Sequence, residues 1–233
     1  RLYPCYTFFM YKKLKFDYGR EALKYLLKTY EIQEVYLPYY LCEVVRHAVV
    51  EVGVKPIFYH IDDDFLPEKE FDKSSYILYP NYFGVCDKNV KLLCEKYPKL
   101  IVDNAHSFYS KPSGFACFNC EHKFLPVENG SYLWISTDEK EDEIEPNPSI
   151  ISERKQRFLA LHEKYSTTNN LHIDTDCVCP FCYPYLASTI EEADELAAKL
   201  QKSGQEVFRY WKELPKSYNE YKFYSRLVPI PLL

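Results

Sequence analysis

Residues 76–106 read YILYPNYFGVCDKNVKLLCEKYPKLIVDNAH. The stretch opens with Tyr76-Ile77-Leu78-Tyr79, an apolar run without alternation, which predicts a short strand buried on both faces. Residues 87–97 carry apolar side chains at helical spacing, and Pro98 closes that helix. Leu100-Ile101-Val102 is a second continuous apolar strand. Strand, helix and strand in so short a stretch form a βαβ unit, and such a crossover makes its two strands parallel.

The same rhythm continues on both sides. After Gly19, Ala22, Leu23, Leu26, Leu27 and Tyr30 recur at helical spacing, with Lys24 and Lys28 on the opposite face. Val35-Tyr36-Leu37-Pro38 reads as a strand, residues 43–52 as a helix stopped by Gly53, and residues 54–61 as another strand. A strand is expected over residues 132–135. Together these predict an α/β fold, a three-layer sandwich around a mostly parallel sheet. In such sheets ligands bind at the carboxyl ends of the strands, which directs attention to residues 38–42, 80–84 and 103–106.

The acidic, proline-containing residues 137–149 have no periodicity and read as a linker. Residues 151–165 then give a long amphipathic helix. A strand is expected near residues 182–186, a helix from the capping box at Thr189 to Gly204, and a strand over residues 207–211. The division expected is a large domain over residues 1–136, the linker, and a small C-terminal α+β domain over residues 150–233.

Composition narrows the function classes. The chain has 233 residues, 29 Lys+Arg against 34 Asp+Glu, and a net charge of −5. That balance argues against nucleic acid as a partner, because phosphate binding needs a concentrated basic face. No apolar run approaches the roughly 20 residues of a membrane span, and no secretion signal is legible. Nine cysteines are an odd count for a disulfide scaffold, so a reduced, cytoplasmic setting is expected.

Three local patterns carry chemistry. Tyr18-Gly19-Arg20-Glu21 places a glycine before a helix, and helix N-termini bind phosphate through free N–H groups; taken alone, the motif is better explained as a plain helix entry. Asp103, at the end of a buried strand with His106 three residues on, could pair with a protonated ring nitrogen or simply cap the following turn. Lys123 lies among aromatic and apolar neighbours, where desolvation would suit its amine to covalent chemistry with a carbonyl; an exposed loop lysine is the alternative. The pairs Cys117-x-x-Cys120 and Cys179-x-x-Cys182, near His122 and Cys177, offer four thiolates for a zinc ion, at a separation longer than in a zinc ribbon.

Taken in order, the glycine before the first helix, the strand-end Asp-x-Ala-His and the downstream lysine before a turn resemble the DegT/StrS-type sugar aminotransferases, pyridoxal-phosphate (PLP) enzymes of the aspartate-aminotransferase fold. Residues 35–40 (VYLPYY), 54–62 (VKPIFYHID), 82–84 (YFG) and 122–131 (HKFLPVENGS) add to the resemblance. It covers residues 14–135 well and the rest more loosely. The resemblance implies that Lys123 bonds covalently to PLP, that Asp103 pairs with its ring nitrogen, and that His106 lies beside the ring. It implies phosphate at Gly19 and Arg20, Cys42 and Cys120 bordering the cofactor, and Tyr82 bordering the substrate. It also implies a nucleotide-linked keto-sugar acceptor in surface-polysaccharide biosynthesis, an amino-acid donor such as glutamate, and a homodimer. The chain departs from the family in its phosphate loop, in the serine before the lysine, and in a missing helical segment. A shortened member that only binds or scaffolds is the alternative.

Overall fold

The computed structural model describes residues 10–137, 146–212 and 214–232. Seven strands form the central sheet: β1 (Met10–Phe16), β2 (Glu34–Pro38), β3 (Lys55–Tyr59), β4 (Ile77–Pro80), β5 (Leu100–Asn104), β6 (Ala116–Asn119) and β7 (Ser131–Thr137). Their order is β1-β7-β6-β5-β4-β2-β3. The run from β6 to β3 is parallel, and β7 joins β6 and β1 antiparallel. The sheet is therefore mostly parallel, as its continuous apolar strands require.

The strand period of two divides the central strands between two cores. Leu78, Ile101 and Leu133 face one side, where they meet Leu23 and Leu26 of α1 (Gly19–Thr29) and Val45 and Val49 of α2 (Glu43–Glu51). Ile77, Tyr79, Leu100 and Val102 face the other. There they meet α3 (Asp87–Lys96) and the C-terminal elements, namely α4 (Pro148–Tyr165), α5 (Ile190–Lys202) and α6 (Tyr221–Arg226). A two-stranded antiparallel sheet of β8 (Cys182–Leu186) and β9 (Leu227–Pro231) completes that layer.

Several expectations shift. The linker over residues 137–149 falls mostly on 138–145, which lie outside the described residues; Thr137 ends β7 and α4 opens at Pro148, with Asn147 as its cap. The strand expected over residues 207–211 does not form: these residues have neither helix nor strand, and they hold by side chains. Arg209 donates to the Ser225 carbonyl and pairs with Asp194, while Trp211 packs edge-on against Tyr40. The Thr189 cap forms as read, accepting from the Glu192 N–H at 3.1 Å.

Candidate active site

A cavity of about 210 Å³ opens at the carboxyl ends of the parallel strands. The first turns of α1 and α2 contribute Tyr18, Gly19, Arg20, Cys42, Val44 and Val45. The ends of β4 and β5 contribute Pro80, Asn81, Asp103, Ala105 and His106. The remaining wall is Phe118, Cys120, His122, Lys123 and Trp211. Seven of the eight residues singled out from the sequence therefore meet at one place. Tyr82 does not: it is fully buried below the cavity, with its hydroxyl donating to the Tyr40 carbonyl at 2.9 Å.

The strand ends set the chemistry. Asp103 is 7% exposed, and its Oδ1 accepts from the Ala105 N–H at 2.9 Å. Its Oδ2 takes no hydrogen bond among the described residues. Burial pushes the carboxyl pKa up, against the pull of the Ala105 N–H and the Lys123 ammonium. His106 is 4% exposed; burial, then the positive charge of Lys123, pushes its pKa well below the ordinary histidine value, so its ring is neutral near pH 7. The imidazole stacks on Phe181 at 4.6 Å, and neither ring nitrogen is hydrogen-bonded among the described residues. Lys123 makes no ion pair among the described residues, and its Nζ lies 5.7 Å from the Phe181 ring centre.

The helix ends supply the donors. The Gly19 N–H points at the Cys120 sulfur, which also lies 3.7 Å from His122 Nδ1. Burial raises the Cys120 thiol, and Lys123 opposes that rise. The Arg20 guanidinium lies 4.0 Å over the Tyr18 ring and 3.6 Å from Glu21, whose shorter bond, at 2.8 Å, goes to Lys24. With the basic side chains of Arg20 and Lys123 and with Asp103 as the one carboxylate among the lining residues, the cavity suits an anionic ligand.

Val44 and Trp211 were not read from the sequence as site residues, Asn81 was given no role within the strand-end stretch 80–84, and His122 was read only beside the cysteine pairs. Asn81 holds the two strand ends together. Its N–H donates to the Asp103 carbonyl at 2.9 Å and its Nδ2 to Asp87 at 2.7 Å, while its Oδ1 accepts from the Cys86 N–H. Its place just after a buried parallel strand was the available signal. The four-thiolate arrangement does not assemble: among the described residues no group of three or more His, Cys, Asp or Glu can hold a metal ion. The eight described cysteines are free.

The residues present fit PLP. A buried carboxylate with one oxygen unclaimed among the described residues suits a protonated ring nitrogen, an amine in no ion pair among them suits an aldehyde, and an arginine at a helix start suits a phosphate.

The fold is similar to that of solved PLP-dependent aminotransferases. Spr1654 from Streptococcus pneumoniae, assigned as a sugar aminotransferase and solved in its PLP form, is similar at a TM-score of 0.74 with 16% identity, covering 95% of this chain and 82% of that one. A DegT DnrJ EryC1 StrS aminotransferase from Brucella abortus is similar at 0.70 with 15% identity, covering 94% and 80%. Helicobacter pylori PseC, an aminotransferase of pseudoaminic acid biosynthesis, is similar at 0.69 with 15% identity, covering 95% and 81%. No family model and no curated protein matches the sequence. Among the described residues no helix is long and apolar enough to cross a membrane.

Proposed function

We propose that this chain is a PLP-dependent aminotransferase acting on a sugar, with a nucleotide-linked keto-sugar of surface-polysaccharide biosynthesis as acceptor and glutamate as donor. The observation that carries the reading is that Asp103, His106 and Lys123 share one cavity with the N-terminal turns of two helices. The likeness to sugar aminotransferase structures, one of them in its PLP form, supports it. In this reading residues 1–136 carry the cofactor, residues 150–233 form the small domain, and two copies pair.

When bound, PLP supplies an electron sink that lets an amino group pass between carbon skeletons. The chain's own groups do the rest. Lys123 would hold the aldehyde carbon until the donor's amine takes its place, and its freed amine would then act as general base and acid at the donor's α-carbon. Asp103 keeps the proton on the ring nitrogen, and that cation in turn favours the ionised carboxylate which burial alone opposes. Neutral His106 offers a ring N–H to the oxygen beside the aldehyde. Arg20 and the first-turn N–H groups of α1 hold the phosphate.

The test is capture of the cofactor. Protein incubated with PLP and reduced with borohydride is expected to carry a pyridoxyl group on Lys123 by peptide mapping, and Lys123→Ala none. Glutamate should then convert PLP-loaded protein to the amine form, followed by absorbance. No adduct would sink the cofactor reading, while an adduct without conversion would make the chain a binding protein.

A further inference from the structure

Among the described lining residues, Trp211 alone comes from beyond Lys123 in the chain. It sits in residues 205–212, which form neither helix nor strand, and its φ is 55°. A bulky residue in the left-handed region is strained, and such strain persists only where the surroundings over-determine it. Tyr40 and Tyr82 meet the indole edge-on at 4.5 and 5.7 Å, and so fix its plane.

That plane is parallel to the His106 ring, at 8° and 5.7 Å between centres. A ring nitrogen hydrogen-bonds in the plane of its ring. A ligand atom bonded to a His106 ring nitrogen thus lies in the imidazole plane, beside the wall that the indole forms, and a planar ligand lying flat on that wall meets the indole face. Phe83 lies behind the indole at 6.1 Å and 25°, and among the described lining residues the other rings are engaged elsewhere, His122 against the Cys120 sulfur at 3.7 Å. Tyr18 is covered by the Arg20 guanidinium, and Phe118 is buried against Gly19. Cys42 and Val45 present a thiol and methyl groups.

The geometry points to Trp211 as the positioning residue that covers the aromatic ring of the bound ligand and holds it in register with His106. The inference rests on the cofactor reading above. It places the cover on the C-terminal part of the chain, so the site closes only when that part docks.

Three probes test it: PLP; pyridoxine 5′-phosphate, which keeps ring and phosphate but has no aldehyde for Lys123 to capture; and inorganic phosphate. The chain has two tryptophans, so Trp134→Phe leaves Trp211 as the sole emitter, and Trp211→Phe leaves Trp134. Saturating pyridoxine phosphate should quench Trp211 emission and leave Trp134 emission unchanged. Trp211→Ala should weaken pyridoxine phosphate about tenfold, the factor a ring stack supplies, and Trp211→Phe by less than about threefold. Affinity for inorganic phosphate should not move in either variant. Equal losses for phosphate and pyridoxine phosphate would make the residue merely structural and overturn the inference, as would an unchanged affinity in Trp211→Ala. If neither PLP nor pyridoxine phosphate binds the unaltered protein, the cofactor reading falls and this inference falls with it. If both bind without touching Trp211 emission, only the inference falls.

Discussion

Asp103 and His106 titrate in opposite senses for one reason: burial removes each from water, and each then favours its neutral form. For Asp103 the folded pKa lies above the unfolded one. Its ionised form therefore costs the fold stability, and that cost grows as pH rises from the unfolded value through the folded one. Asp103→Asn keeps an oxygen for the Ala105 N–H and sheds the cost. At pH 7 we expect a higher Tm without cofactor and an affinity for PLP about 10–100-fold weaker, the equivalent of one charge-assisted hydrogen bond. Calorimetry and a PLP titration check the two halves, and a lower Tm would refute the first. For His106 the folded pKa is depressed. Its contribution is present above the unfolded value near 6.5 and is lost as pH falls below it, because the unfolded chain takes up a proton that the folded ring refuses. Lys123 is the charge that faces it, and Tyr210 packs edge-on at 5.3 Å. Replacing His106 by Gln should flatten the fall in stability between about pH 6.5 and 5 by up to ~1.4 kcal/mol per pH unit, one proton's worth. Urea denaturation across that range measures it; parallel curves would refute it.

Gly84 shows how elements are held at the distance the site needs. It follows β4 in a single 3-10 turn, Tyr82–Gly84, with φ 71°. A Cβ there would collide with the His106 carbonyl oxygen and come within 3.1 Å of the Cys179 carbonyl and the Phe181 N–H. Three backbones thus converge on one glycine, and the Phe181 N–H bonds the Phe83 carbonyl beside it. Gly84→Ala must enter a strained backbone and also part these chains. A loss of about 2–5 kcal/mol is expected in denaturant melts, with weaker PLP binding because His106 moves. A loss below ~1 kcal/mol would mean that the three strands of chain yield easily. The elements legible in the sequence were those whose pattern is set by one dominant contact. Helices α1 and α3 have one apolar stripe, and β4 and β5 are buried on both faces. β1 escaped notice because Lys12, Lys13 and Lys15 make an edge strand look like a polar coil. β6 has four residues, all buried, inside a stretch that reads as a loop around Lys123. Residues 207–211 have strand composition and no strand to pair with. The strand-end residues of the site could be read because topology alone delivers them. Trp211 could not, since a tertiary contact with Tyr40 and His106, remote in sequence, brings it there.

On the scale of the molecule, the C-terminal layer must stay seated on the sheet for Trp211 to reach the cavity. Glu220 does much of this. Its side chain is fully buried, accepts from the Ile61 N–H at 2.9 Å and pairs with His60 Nδ1 at 3.0 Å. The bond joins residues 159 positions apart, between the chain just before α6 and the chain just after β3. Tyr39 packs tilted against the same histidine at 4.5 Å, and Tyr218 meets it edge-on at 5.0 Å. Burying a carboxylate is costly, so its partners must satisfy it. Conversely, deleting it strands a buried N–H. Glu220→Gln retains an acceptor for Ile61, whereas Glu220→Ala retains nothing. We expect Glu220→Ala to cost about 2–4 kcal/mol, a fall of roughly 5–15 °C in Tm for a chain of this size, and Glu220→Gln clearly less. The loss should be local before it is global. Hydrogen exchange should quicken first at the Ile61 amide and along α6, while β4 and β5, buried in the centre of the sheet, keep their protection. Trp211 should loosen with that layer, so its emission should shift to the red in Glu220→Ala at temperatures well below the melt. If exchange instead rises together in β5 and α6, the two layers unfold as one unit, and the Glu220 contact is a part of the common core rather than the latch that seats the C-terminal layer.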